Sequence, residues 1–225
     1  MRNSRHLPQP APEAARFANL VAKRALDLLV AVPALVVVSP VLAVVAVLIR
    51  RKDGGPAIYA SKRVGKDGRP FRMYKFRTMV VDAERIGGPS TAADDPRLTR
   101  IGERLRRYKL DEVPQLWNVV RGEMSLVGPR PEVPAYVDLY TPNERRLLSV
   151  KPGITDWASI RFRDEGEILR GAADPEQAYM ERIRPAKVQL GLEYVRRQSF
   201  WIDLAILAAT ARAVLSPARP GSSQR

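Results

Sequence analysis

The sequence predicts a mostly helical α/β protein in which a broken membrane helix precedes one cytosolic domain. Residues 28–49 form a run of 22 residues without a charge. About 165 residues then lie between this run and a proline-rich end, which is the length of one domain. Within them, two segments with the composition of strands are followed by segments with the spacing of helices, and no internal repeat is present.

The two ends of the chain are predicted to be disordered tails. Residues 1–15 contain Pro8, Pro10 and Pro12, and residues 216–225 combine prolines with a glycine and serines. Such segments carry too few large apolar side chains to bury a core. The predicted organisation is therefore a tail at 1–15, a membrane helix at 16–52, a folded domain at 53–215 and a tail at 216–225.

The uncharged run is long enough to cross a hydrocarbon core of about 30 Å, but its flanks favour a re-entrant helix. Lys23-Arg24 precede the run and Arg50-Arg51-Lys52 follow it. Basic residues tend to stay on the cytoplasmic side, so this pattern indicates a helix that enters, bends and leaves by one face.

Ser39-Pro40, near the middle of the run, permits that bend. Proline removes an amide hydrogen bond, and the Ser39 hydroxyl is well placed to bind a carbonyl that this leaves free. A single transmembrane span with a tolerated proline is the alternative. A cleaved signal peptide fits less well, because the run exceeds the core of about 7–15 residues that is usual in such signals.

In the domain, Ala57–Arg63 and Phe71–Met79 have strand-like composition around a glycine-containing turn, which predicts a hairpin. Two helices are predicted from apolar spacing, the second with a proline in its first turn. Their apolar residues are Leu98, Ile101, Leu105 and Tyr108, then Leu116, Trp117 and Val120 after Pro114. Residues 194–215 mix large apolar side chains with arginines, which predicts either an amphipathic helix in the membrane interface or a core helix.

The charge of the chain indicates anionic partners. Lysine and arginine number 38 against 24 acidic residues, a formal net charge of +14. A positive surface attracts anionic lipid headgroups or phosphate-bearing substrates. Nucleic acid fits less well, since the basic residues are spread out and neither a zinc-ligand set nor an aromatic RNA-binding signature is present. With no cysteine and only His6, any catalysis must use carboxylates, hydroxyls, lysine or arginine.

The residues suited to chemistry concentrate between residues 104 and 132. Asp111 and Glu112 precede a predicted helix, whose positive end favours their ionised form. An ionised carboxylate can attack phosphorus, and such a pair suits Mg²⁺, which takes one or two carboxylates plus substrate phosphates. The simpler alternative is that the two residues only cap a helix.

Cations surround this carboxylate pair in the sequence: Arg104, Arg106, Arg107 and Lys109 upstream and Arg130 downstream. Arg130 stands between two prolines, which stiffen its backbone and limit the entropy lost when it binds a phosphate. Cations interleaved with carboxylates are what a nucleotide diphosphate requires.

An ordered set of short motifs resembles the bacterial sugar transferase family, the monotopic phosphoglycosyl transferases. Each motif is weak alone, but the set in this order is highly specific and covers roughly Lys23 to Leu215. The motifs are Lys23–Asp27, Ser39-Pro40, Tyr74–Met79, Asp95–Gly102, Leu110–Asn118, Arg121–Pro131 and Lys151–Thr155.

The resemblance implies a re-entrant helix bent at Ser39-Pro40, a small cytosolic catalytic α/β domain and amphipathic helices in the membrane interface. It places the protein on the cytoplasmic face of the bacterial inner membrane. The implied reaction moves a sugar 1-phosphate from a UDP-sugar to a polyprenyl phosphate such as undecaprenyl phosphate, which initiates polysaccharide or glycoconjugate synthesis. Membrane lipid is an implied partner and nucleic acid is not. A homo-oligomer is left open.

The resemblance also implies roles for individual residues. Asp111 would be the nucleophile that forms a covalent phosphosugar ester and releases UMP, and Glu112 would hold Mg²⁺ on the diphosphate. Lys75, Arg106 and Arg130 match positions that the family uses to bind phosphate. A non-catalytic, basic, membrane-anchored scaffold for anionic lipids is the alternative, and it would not need the two carboxylates.

The sequence departs from the family at two places. Lys109 stands where many members have a small hydroxyl residue, which adds a cation beside Asp111. Residues 156–163 differ from the common stretch after Lys151–Thr155, which leaves the identity of the sugar open. The resemblance is to the short form, without the large N-terminal membrane domain of longer members.

Overall fold

The computed structural model describes residues 13–88 and 90–215, in which nine helices surround two small sheets. The helices are α1 Glu13–Asp53, α2 Arg100–Arg107, α3 Gln115–Arg121, α4 Pro134–Asp138, α5 Trp157–Arg161, α6 Glu165–Ile168, α7 Pro175–Arg182, α8 Arg184–Arg197 and α9 Phe200–Leu215. The strands are β1 Ile58–Val64, β2 Pro70–Phe76, β3 Ser125–Val127 and β4 Gly153–Thr155. The mostly helical α/β class is confirmed.

The predicted hairpin is present, with small shifts at its ends. β1 pairs antiparallel with β2, so that Tyr59 lies opposite Lys75. The connection contains a 3₁₀ turn at Lys66–Gly68. β2 ends at Phe76, before the predicted end at Met79, and Met79 instead forms an isolated antiparallel bridge with Leu98. This bridge joins the hairpin to the segment that leads into α2.

Both predicted helices after the hairpin are also present. Thr99 caps α2 by accepting a hydrogen bond from the Gly102 amide at 3.0 Å, a common way to satisfy the first turn of a helix. Leu105 is buried, whereas Tyr108 and Trp117 are exposed. The helical spacing therefore predicted both elements correctly, although two of the aromatic side chains that marked them face outward.

The motifs Arg121–Pro131 and Lys151–Thr155 meet where β3 and β4 pair in parallel. A Cβ atom on Gly153 would lie 2.1 Å from the Gly128 backbone nitrogen, so only glycine fits there. The Gly153 amide donates to the Pro129 carbonyl at 3.0 Å. This close packing fixes the backbone immediately before Arg130.

The long apolar helix α1 is continuous and passes through Pro33 and Pro40. The Ser39 hydroxyl donates to the Val36 carbonyl at 2.8 Å. That carbonyl lies four residues before Pro40 and lacks its amide partner, so the Ser39 hydroxyl supplies the missing hydrogen bond. The helix α1 is not interrupted at Ser39-Pro40. By length and composition, α1 is the one helix among the described residues that could span a membrane.

Both halves of α1 pack against the same folded domain. In the first half, Arg24 donates to the Val119 and Val120 carbonyls at 2.7 and 2.9 Å. Ile49, in the second half, is buried against Phe76 and Leu105. Between these contacts the side chains of residues such as Val36 and Val37 are exposed. The helix starts at Glu13, and residues 1–12 and 216–225 of the predicted tails lie outside the described residues.

Lys23 of α1 forms a buried ion pair with Asp203. Its ammonium group donates to the Asp203 carboxylate at 2.6 Å, the Val127 carbonyl at 2.8 Å and the Tyr194 hydroxyl at 3.2 Å. The three N–H donors thus have three acceptors, which offsets the cost of burying the charge. The contacts join α1 to β3, α8 and α9.

The segment 194–215 is divided between two helices, because α8 ends at Arg197 and α9 begins at Phe200. Asp203 and Ile206 of α9 are buried, whereas Trp201 and Leu215 are exposed. Features of both predicted alternatives are therefore present: α9 packs into the core on one side and presents large apolar side chains on another.

We predict that Lys23→Met destabilises the fold, because it leaves the Asp203 carboxylate buried without its cation. Breaking a buried pair in this way costs about 3–5 kcal/mol. The melting temperature of the protein in detergent should fall by about 10 °C. The double variant Lys23→Met, Asp203→Leu should recover most of this loss, since it removes both charges. A single variant that melts like the parent would contradict the buried pair.

Candidate active site

The predicted carboxylate pair lies in a 3₁₀ turn, Leu110–Glu112, between α2 and α3. The preceding residue, Lys109, has a φ of 56° and a ψ of 20°. This left-handed conformation is uncommon for a residue with a side chain and costs free energy unless its surroundings hold it. The sharp change of direction presents Asp111 and Glu112 to a large cavity.

Glu112 is held by two cations. One Arg130 guanidinium nitrogen binds Glu112 Oε2 at 3.1 Å, and the other binds Oε1. The Lys75 ammonium lies 3.3 Å from Oε1. Burial alone would raise the pKa of Glu112, but the charges of Arg130 and Lys75 outweigh it and hold the pKa well below its usual range. Glu112 is therefore an anion with a fixed orientation.

Asp111 has a different environment, although it is the adjacent residue. Its side chain is buried, and Oδ1 has no hydrogen-bond partner among the described residues. Burial raises the pKa of Asp111, and the negative charge of Glu112 adds to this, while Lys75 and Arg106 act in the opposite direction. Asp111 therefore lines a cavity with cationic residues and carries an oxygen whose hydrogen-bonding capacity is unused.

Lys75 and Arg130 are the two predicted phosphate-binding residues that directly contact Glu112. Burial lowers the pKa of Lys75 to about 8, although the charge of Glu112 opposes the shift. The pKa of Arg130 shifts in the opposite direction, because the charge of the Glu112 carboxylate raises it above the ordinary value. At neutral pH both groups are cations, and Lys75 loses its proton under mildly alkaline conditions.

Arg106 and Lys109 complete the cationic side of the cavity. Arg106, from α2, lines the cavity and makes no side-chain hydrogen bond within the described part of the chain. Burial lowers the pKa of Lys109, and Asp111 and Glu112 partly oppose this. The predicted residues Lys75, Arg106, Asp111, Glu112 and Arg130 therefore share one cavity, whereas Ser39 and Pro40 lie outside it on α1.

Arg63 is a cavity residue that the sequence reasoning missed. Its guanidinium donates to the Ser61 hydroxyl at 3.0 Å, and burial lowers its pKa. Side chains alternate along a strand, and cross-strand partners point to the same side. The pairing of Tyr59 with Lys75 therefore places Arg63 on the face of the hairpin that carries Lys75. The alternation was visible in the sequence, but the register was not.

The cavity has a volume of about 1300 Å³, above the roughly 300–1000 Å³ that is typical of small-molecule sites. Its wall includes Tyr136, whose hydroxyl bonds to Glu176 and lies 3.2 Å from the Ser90 hydroxyl. Asp156 and Ser159, from the stretch that departs from the family pattern, also line it. That stretch therefore lies where it can contact a bound molecule.

The site suits a divalent cation held jointly with a substrate. No group of three or more metal-binding side chains occurs in residues 13–88 and 90–215. Each carboxylate oxygen accepts about two hydrogen bonds, so Glu112 Oε2 retains capacity beside its bond to Arg130. Asp111 Oδ1 is unpartnered. These oxygens fit Mg²⁺, whose other ligands are typically water and substrate phosphates rather than a protein cage.

We predict that the side chain of Lys75 titrates near pH 8. The folded pKa lies below the ordinary value of 10.5. The unfolded chain therefore binds more protons across that interval, and this group makes the fold more stable as pH rises through it. NMR of ¹³C-labelled lysine, with the signal assigned through Lys75→Arg, measures the pKa. Glu112→Gln should lower the pKa further. A parent pKa above 10 would contradict the burial of the ammonium group.

The chain matches the family described as bacterial sugar transferase over residues 18–217. It is 38% identical over 201 residues to the UDP-glucose:undecaprenyl-phosphate glucose-1-phosphate transferase of Escherichia coli K12, covering 85% of this chain and 40% of that protein. It is 37% identical over 198 residues to the UDP-N-acetylgalactosamine-undecaprenyl-phosphate N-acetylgalactosaminephosphotransferase of Aeromonas hydrophila, covering 86% of this chain and 44% of that protein.

A third relative is similar in length. The uncharacterized sugar transferase EpsL of Bacillus subtilis strain 168 is 38% identical over 196 residues, covering 87% of this chain and 88% of that protein. This chain spans less than half the length of the other two relatives. The family match nevertheless extends from the first half of α1 to the end of α9. The chain belongs to the bacterial sugar transferase family.

Proposed function

We propose that this protein transfers a sugar 1-phosphate from a UDP-sugar to undecaprenyl phosphate. The observation that carries the proposal is Asp111 Oδ1, a buried carboxylate oxygen without a hydrogen bond in a cavity lined with cations. The names of the Escherichia coli and Aeromonas relatives specify this class of donor and acceptor. The volume of the cavity also suits a nucleotide sugar.

In the first step, an Asp111 oxygen attacks the phosphorus that carries the sugar. The new O–P bond forms as the bond to the bridging oxygen breaks, and UMP leaves with the electron pair. Lys75, Arg106 and Arg130 offset the charge on the diphosphate. Because burial strips Asp111 of water, its anion is less shielded and more reactive than an exposed carboxylate.

In the second step, a phosphate oxygen of the acceptor attacks the same phosphorus. The Asp111–phosphorus bond breaks, the carboxylate is restored, and the product is a polyprenyl diphosphate sugar. Dividing the transfer in this way allows two anionic substrates to use one site in turn. Glu112 keeps Lys75 and Arg130 in place throughout, because both cations contact its carboxylate.

Mg²⁺ is part of the proposal, with Glu112 Oε2 as its protein ligand. When bound, the metal would neutralise part of the charge of the diphosphate. Glu112→Gln should reduce UMP release strongly, since it also loosens Lys75 and Arg130. Chelation by EDTA should have the same effect, and undiminished UMP release in EDTA would exclude the metal.

We further propose that α1 is re-entrant and that the domain lies on the cytoplasmic face of the inner membrane. Arg24 and Ile49 both contact the one folded domain, on either side of the uncharged run. A helix that crossed the bilayer between them would put these residues on opposite faces. The Ser39 bond to the Val36 carbonyl supports a bend at Pro40 without an unpaired carbonyl in lipid.

Asp111→Asn should abolish both the covalent adduct and turnover, because an amide is a poor nucleophile of similar size. The parent protein incubated with a panel of UDP-sugars should release one equivalent of UMP without acceptor. It should also gain the mass of a sugar phosphate on the tryptic peptide that contains Asp111. The panel identifies the sugar as well.

An Asp111→Asn variant that melts like the parent serves as the control for folding. Near-normal turnover in this variant would exclude Asp111 as the covalent residue. Kinetics that require both substrates to be bound together, with no adduct trapped, would indicate direct transfer instead. A parent protein that binds anionic vesicles but releases no UMP would favour the non-catalytic scaffold.

The topology of α1 can be tested with single cysteines, because the chain has none. Ala14→Cys, near the start of α1, and Asn143→Cys, in the domain, introduce thiols at exposed positions. Both should resist a membrane-impermeant thiol reagent in intact cells and react after lysis. Pro40→Leu should straighten the helix and expose position 14 in some molecules. Labelling of Ala14→Cys in intact cells without the Pro40 change would show a transmembrane span.

A further inference from the structure

Three large side chains within six residues of Asp111 in the sequence are exposed at the surface. Tyr108, Leu110 and Trp117 are 64%, 40% and 51% exposed, whereas Asp111 is 7% exposed. We propose that these three residues form an acceptor surface that binds the first isoprene units of the polyprenyl phosphate during the second step. The proposal rests on the function proposed above and assigns residues to the recognition of its lipid substrate.

The acceptor surface belongs to a segment whose two flanking helices, α2 and α3, both contact α1. α2, which ends beside Tyr108, packs through Leu105 against Ile49 of α1. α3, which carries Trp117, packs through Val119 in the cluster that contains Ala31 of α1. The turn with Leu110 and Asp111 therefore connects two helices that each pack against α1. A lipid chain beside α1 can reach this surface without leaving an apolar environment.

The chemistry of the surface matches one end of a polyprenyl phosphate. Leu110 and the aromatic rings offer apolar contact to isoprene units, and tyrosine and tryptophan favour the membrane–water interface. Arg106 and Lys109 lie beside Asp111 and complement the phosphate. Because Leu110 immediately precedes Asp111, a lipid whose phosphate reaches Asp111 must place its first isoprene units close to this residue. Bulk phospholipid does not react with Asp111, so its acyl chains need not lie close to Leu110.

The decisive variant is Trp117→Ala, with Trp201→Ala as the matched control. Trp201 is 74% exposed and lies on α9, a different helix from the one that follows Asp111. Geranyl phosphate, which has two isoprene units and is soluble in water, is the test acceptor because its use does not depend on binding to a membrane. Its KM should rise about tenfold in Trp117→Ala, equivalent to about 1.4 kcal/mol, and stay unchanged in Trp201→Ala.

The first step provides the internal control, since it uses no acceptor. Release of UMP from the UDP-sugar alone should keep the parent rate in Trp117→Ala, and Trp117→Phe should restore most of the acceptor affinity. An equal loss in both steps would show a structural role and overturn the proposal. If Trp117→Ala left the KM for geranyl phosphate unchanged but weakened binding to vesicles, the result would indicate general membrane docking and would also overturn the proposal.

Two other results separate this proposal from the proposed function. A parent protein that forms the adduct but neither uses geranyl phosphate nor is inhibited by it would overturn the acceptor surface alone. A parent protein that forms no adduct with any UDP-sugar would overturn the proposed function, and the acceptor surface with it.

Discussion

The buried Lys23 ammonium is the contact on which the arrangement of membrane helix and catalytic domain depends. Its three hydrogen bonds tie α1 to β3 and to α9, and Asp27, one turn later, accepts bonds from the Ser125 hydroxyl and the Leu126 amide, both at 2.9 Å. A buried cation tolerates little displacement, because any lost acceptor leaves a charge in an apolar environment. The first half of α1 is thereby fixed to the strand that leads to Arg130, and so to the site.

The two adjacent carboxylates of the site have opposite electrostatic environments. Asp111 and Glu112 are adjacent in sequence, yet burial raises the pKa of the first, whereas cations hold the pKa of the second well below its usual range. Two titratable groups whose pKa values are pushed apart in this way are suited to different roles. The left-handed conformation of Lys109 makes this possible, since it turns the chain so that Glu112 meets Arg130 and Lys75 while Asp111 Oδ1 stays without a hydrogen bond.

One short segment carries both the carboxylates of the candidate site and large exposed side chains. Residues 108–117 carry the two carboxylates of the candidate site and three exposed large side chains, and the helices at both ends of this segment pack against α1. A lipid phosphate has its reacting atom at the interface and its chain in the apolar layer. On the proposed function, a site whose flanking helices pack against α1 would receive such a substrate without extracting it from the membrane.

The sequence by itself determined the α/β class, the hairpin, the helices after it and the identity of the charged residues in the site. Local spacing and composition are enough for these, because they depend on neighbours along the chain. Only the tertiary structure decided that Glu112 pairs with Arg130 and Lys75 while Asp111 keeps an unpaired oxygen, that Arg63 joins the cavity, and that Tyr108 and Trp117 face outward. Lys23 shows the reason most clearly: in the sequence it is a basic flank of an apolar run, and in the fold it is buried against Asp203, 180 residues away. Such long-range pairings have no local signal, because they depend on which surfaces the folded chain brings together.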